Sequence, residues 1–135
     1  MPMAKRSPSV SERSYGLYQR WSGRRGDVPQ LIAFQERIPA RVGVEFGYVL
    51  HITGGHGTEL EWRIEHPPFP GRDGKPSPAF TGSYHVRGND FEFFLGDTVW
   101  EPWHNKCGPW TMITSIAGVE VARRTLLLVP EHELE

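Results

Sequence analysis

An all-β, antiparallel sandwich of about seven or eight strands is the fold this sequence predicts, and three observations predict it. Turn formers are dense, with 15 Gly and 12 Pro among 135 residues. Aromatic and aliphatic residues alternate with polar ones at period two in several short runs, which is the strand signature. Those runs recur every ~8–12 residues, the spacing of a sandwich rather than of strand–helix units.

Taken in order, residues 1–13 lack periodicity and are expected to be a disordered basic tail. The stretch "SYGLYQRW" places Tyr15 and Leu17 on one face and suits a short edge strand. "SGRRGDVP" reads as a turn or mobile loop, and "QLIAFQE" as a second short strand, ended by Pro39, which cannot donate a ladder hydrogen bond. "VEFGYVLHIT" sets Val44, Phe46, Tyr48, Leu50 and Ile52 on one face. "GGHG" supplies a turn, and "ELEWRIE" returns with Leu60, Trp62 and Ile64 inward and its charges outward. The pair is expected to be a hairpin with one buried and one wet face.

"HPPFPGRDGKPSP" is barred from regular structure by its prolines and reads as a long surface loop. Two more strands, "AFTGSYHVRG" and "FEFFLG", flank the "RGND" turn. "DTVWEPWHNKCGPW" is an aromatic-rich connection broken by Pro102 and Pro109. The chain then closes on a hairpin: Trp110, Met112, Thr114 and Ile116 share a face, "AGVE" turns, and "VARRTLLLV" returns. The apolar end of that last strand is expected to lie inside the fold. The domain therefore spans 14–130, with 131–135 as a C-terminal tail.

At 135 residues the chain is one domain and long enough to bury a core without metal or disulfide. A single cysteine, Cys107, excludes an intrachain disulfide. No run of ~18 apolar residues predicts a membrane span, and the polar start lacks the apolar stretch of a signal peptide, so a cytoplasmic location is expected. Through residue 27, six basic residues stand against Glu12 and Asp27, a net +4; the overall charge of −1 leaves −5 for the remainder. A basic arm of this kind supports a nucleic-acid adaptor only if its charge concentrates on one face.

"IPARVGVEFGYVLHITG", the "HPPFP" loop and "GPWTMITSIAGVEVARRTLLLV" together resemble a bacterial family known only as a domain of unknown function, the one numbered 3859. Ile38-Pro39-Ala40, Gly43 and Phe46-Gly47 match its lead into the first long strand. Its Pro-Gly-x-Trp element stands here as Cys107-Gly108-Pro109-Trp110, with Pro and Gly rearranged. The resemblance covers roughly residues 15–130 and implies an immunoglobulin-like sandwich. It implies no catalytic residues, since the family's Gly, Pro and Trp positions look structural.

The candidate chemistry is thin. Cys107 lies near His104, and a thiol needs a reachable imidazole to become a nucleophile; the blander reading is a semi-buried inert thiol. His51, His56, His66, His85 and His104 match no common zinc spacing, so neither a metal nor another cofactor is expected. Glu59, Glu61 and Glu65 alternate on a solvated strand face rather than forming a carboxylate pair. The sequence holds no Gly-x-Ser-x-Gly elbow and no phosphate loop.

A non-catalytic, protein-binding interaction module is the function this pattern favours. Its recognition residues are expected in the two irregular segments: Phe69, Arg72, Trp100, Trp103 and His104. A small metal- or thiol-dependent hydrolase using His and Cys107, and a nucleic-acid adaptor using the N-terminal arm, are the alternatives.

Overall fold

The computed structural model of the chain describes residues 8–24 and 27–134. Nine strands run through them: β1 (Ser9–Tyr18), β2 (Leu31–Ala33), β3 (Arg37–Pro39), β4 (Glu45–Thr53), β5 (Glu59–Glu65), β6 (Phe80–His85), β7 (Asp90–Thr98), β8 (Gly108–Ile116) and β9 (Val119–Val129). They form a four-stranded sheet, β2-β1-β4-β7, packed on a five-stranded sheet, β3-β9-β8-β5-β6. All pairings are antiparallel except β3 with β9.

The alternating faces read from sequence line the space between the sheets. Phe46, Tyr48, Leu50 and Ile52 of β4 meet Leu60 and Ile64 of β5 and Trp110, Met112 and Ile116 of β8, all buried. Two polar ties cross this core. The Tyr48 hydroxyl bonds to that of Thr114, and burial pushes the Tyr48 phenol well above its usual range. Near the open side, Arg124 of β9 donates to both carboxylate oxygens of Glu12 on β1 while its guanidinium lies 3.7 Å from the centroid of Tyr15.

Several expectations are corrected. Strand β1 begins at Ser9, so Ser9–Arg13 are not part of a disordered tail; residues 1–7 lie outside the described residues. Nor is β1 an edge strand, since it pairs with β4 on one side and with β2 on the other. The single strand expected over "QLIAFQE" becomes two three-residue strands in different sheets, β2 and β3, which raises the count to nine. Strands β4 and β5 are not a hairpin: they lie in opposite sheets, and the Gly54–Thr58 connection crosses between layers. A five-residue link serves a crossover as readily as a turn, and parity alone does not distinguish them. Glu131–Leu134 form a 3-10 turn rather than a plain tail.

The outward face of β4 is not wet either. Glu45 and Val49 are buried because the segment after β1 folds back over them. Trp21 packs edge-on against Phe94, with centroids 5.3 Å apart, and donates its backbone N–H to Glu45 Oε1 at 3.1 Å. The Thr98 hydroxyl donates to the other Glu45 oxygen at 3.0 Å. A Cβ at Gly47 or Gly96 would collide with the carbonyl of Leu95 or Phe46, so glycine is what lets β4 and β7 approach here. Leu126, Leu128 and Val129 are buried as expected, but Leu127 faces solvent.

Candidate interaction surface at the loop end

At one end of the sandwich the chain spends its two longest connections after β4, 66–79 and 99–107. The prolines of the first prevent ladder pairing, so its backbone closes on itself. Gly71 N–H donates to Lys75 O at 2.7 Å, Ser77 N–H to Phe69 O at 2.8 Å, and Pro70 bridges Pro76. This folding drives Phe69 inward, where it is 6 % exposed, and leaves Arg72 exposed at the tip.

The second connection packs against the first. Trp100 meets Phe69 edge-on at 5.5 Å and Trp110 at 6.1 Å. Lys106 is buried beneath both loops; its Nζ lies 4.7 Å from the ring centroids of Phe69 and of Trp100. Its ammonium donates to Pro102 O at 2.9 Å and Asn105 Oδ1 at 2.7 Å. Burial lowers the Lys106 pKa, while Glu101 acts to raise it. The carbonyl of Lys106 in turn accepts the Trp110 indole N–H at 2.8 Å. Aromatic area, cation and hydrogen bonds thus lock the two loops to the start of β8.

The sequence-predicted residues divide on this scaffold. Phe69 is corrected from a contact to a buried support, and half-buried Trp100 braces the same cluster. Trp103 is half-buried on the outside of that cluster, stacked at 3.9 Å on the exposed ring of His104. It borders a groove of about 340 Å³ together with Ala40, Arg41, Val42, Glu101, Glu131 and His132. A neighbouring groove of about 380 Å³ shares Arg41 and Val42 and continues to Ile32. Val42 and Ile32 are 47 % and 60 % exposed, and Arg41 reaches Glu131 at 3.2 Å. Sequence reading missed Arg41, Val42 and Ile32; no local pattern marks them, because only the fold carries them beside Trp103.

The thiol sits apart from this surface chemistry. Cys107 Sγ donates to Trp103 O at 3.8 Å, and burial pushes its pKa up, helped by Glu133. A raised thiol is the opposite of what nucleophilic chemistry requires. Histidines are spread over separate partners: His51 meets Asp90 at 2.5 Å, His85 meets Glu59 at 3.7 Å, and His104 covers Trp103. Among the described residues no three His, Cys, Asp or Glu side chains gather to hold a metal, and no helix is long and apolar enough to cross a membrane. Of the six basic residues in the arm of the nucleic-acid reading, Lys5, Arg6 and Arg25 lie outside the described residues, whereas Arg13 lies on β1 and Arg20 and Arg24 on the segment after it.

Comparison with known proteins agrees with this architecture. A family model described as Domain of unknown function (DUF3859) matches residues 6–127. No curated protein matches the sequence. The fold is similar to that of an immunoglobulin-like protein from Pseudomonas aeruginosa, solved by crystallography. That likeness has a TM-score of 0.76 at 18 % identity, covering 94 % of this chain and 100 % of the other.

Proposed function

We propose, from the premise that this chain belongs to the DUF3859 family of immunoglobulin-like domains of unknown function, that it is a non-catalytic module that binds a protein through its loop end. One observation carries the reading. A tryptophan, Trp103, is left half-exposed beside exposed Val42 at the mouth of a groove, while everything beneath it is packed. Tryptophan on a preorganised base contributes large contact area at low entropic cost, which is the usual anatomy of an interface hot spot.

Charged groups around the groove suit a protein partner. Arg41, Glu101, Glu131 and His132 ring the apolar contacts in the manner of a polar rim. His104 and, at the tip of the neighbouring loop, Arg72 would extend the same surface.

Affinity capture from the native cell tests the reading, with wild type and Trp103→Ala as paired baits. A partner retained by wild type and lost from Trp103→Ala at unchanged melting temperature supports it. Identical captures from both baits would count against it.

A further inference from the structure

His66 closes β5 and opens the proline-rich loop, and both of its ring nitrogens face carbonyl oxygens. Nδ1 lies 2.8 Å from Pro67 O and Nε2 lies 2.8 Å from Pro78 O. A carbonyl can only accept. A neutral imidazole has one N–H, so one of the two contacts would set lone pair against lone pair; the imidazolium donates at both. The ring also lies among aromatic faces. It stacks on Phe69 at 4.4 Å and lies 4.5 Å from Phe80 and 5.5 Å from Trp110, and aromatic faces attract a cation.

Charges facing the ring come from several elements. Asp97 on β7 interacts with it electrostatically and has Glu45 behind it. Lys106, on the other connection, lies 4.7 Å from the centroid of Phe69, the ring on which His66 stacks, and Glu101 acts on it electrostatically. On its own strand, Glu65 is engaged by Arg63 at 3.2 Å. Arg72, Asp73 and Lys75 lie exposed at the loop tip.

We infer that His66 is a proton-operated latch that ties the first and last prolines of the 67–78 loop together. With both nitrogens protonated, it holds Pro67 and Pro78 at once and keeps Phe69 seated between His66 and the Trp100–Trp110 cluster. Loss of one proton removes one of the two bonds, so the loop loosens as pH rises. The latch depends on the loop's own geometry and stands whether or not the loop end binds a protein.

The test uses the full chain labelled with ¹⁵N at histidine, with the ring nitrogens of His66 followed by long-range ¹H–¹⁵N correlation from pH 5 to pH 9. The expected result is a doubly protonated ring at the acid end that becomes a single tautomer as pH rises. Over the same interval, the Ser77 amide, which donates to Phe69 O, should lose about tenfold in protection after correction for intrinsic exchange. His66→Gln replaces the ring with an amide that does not titrate, so its Ser77 protection should not respond. A ring that is singly protonated at pH 5 in the folded chain would overturn the latch. So would Ser77 protection that follows one pH course in wild type and His66→Gln.

Discussion

The two ends of this sandwich are built from different materials. At one end, strands are joined by Gly54–Thr58, Val86–Asn89 and the two-residue Ala117–Gly118 turn, and backbone groups satisfy one another. Gly54 N–H donates to Asn89 O, Gly57 N–H to Val86 O and Val86 N–H to Thr58 O. At the other end, the 66–79 and 99–107 connections are held by side chains: Phe69, Trp100, Trp110, Lys106 and His66. Tight turns need only a few permissive residues to reverse the chain. A long loop packed on tryptophans needs many specific side chains and leaves some of them, Trp103 above all, at the surface. The proposed recognition surface lies at the end that carries those side chains.

The largest expected effect lies under the loop end. Trp110 is fully buried, donates to Lys106 O and touches Phe46, Phe69 and Trp100. Trp110→Ala should cost ~3–5 kcal/mol in a denaturant titration. Trp62 shares the inward parity but is only half-buried, lying over Gly82, so Trp62→Ala should cost clearly less. Equal costs would mean that the loop end is no better anchored than the middle of β5.

A smaller effect carries a sign. Asp97 sits on the inward side of β7 opposite Phe46, and burial pushes its carboxyl up to about 6 from 3.8; Thr98 N–H opposes that rise and Glu45 adds to it. Between those values the folded chain holds a proton that the unfolded chain has released. Stability from this group is therefore greatest at low pH, falls as pH rises through the window, and stays low above it. Asp97→Asn should raise stability at pH 7.5 by up to ~3 kcal/mol, at ~1.4 kcal/mol per pH unit, and change little below pH 4. Melting curves at the two pH values check it; an equal gain at both would remove the titration argument.

The Ala117–Gly118 turn should answer to backbone chemistry alone. Ala117 and Gly118 both have positive φ, 51° and 79°, as a type I′ turn demands, and alanine tolerates this poorly. Ala117→Asn should stabilise the fold by ~0.5–1 kcal/mol without touching any packed side chain. A loss of stability would show the turn to be held by more than its backbone.

Much of the fold was legible because period two survives in single strands. The run Trp110, Met112, Thr114 and Ile116 lies on the buried face of β8 as read, and Phe46, Tyr48, Leu50 and Ile52 on that of β4. Pairing was less legible, because the five residues between β4 and β5 say nothing about which sheet comes next. The first half of β1 was invisible for another reason: its inward residue Glu12 looks like a solvated charge until Arg124 is folded against it, 112 positions away. Buried Lys106 escaped in the same way. The two irregular segments were recognised as the side-chain-rich part of the molecule, but which tryptophan faces out depends on how they pack. Phe69 and Trp100 were drawn in by one another, and Trp103 was left beside Arg41 and Val42 from an unrelated turn.

Once a partner has been captured, its affinity for two variants compares the two ends directly. Trp103→Ala alters the loop end, and His56→Ala alters an exposed residue of the opposite turn. Trp103→Ala should weaken binding at least ~30-fold, the size of a hot-spot loss of ~2 kcal/mol, while His56→Ala should leave it within about twofold. Undiminished affinity of Trp103→Ala, or a large loss from His56→Ala, would contradict recognition at the loop end.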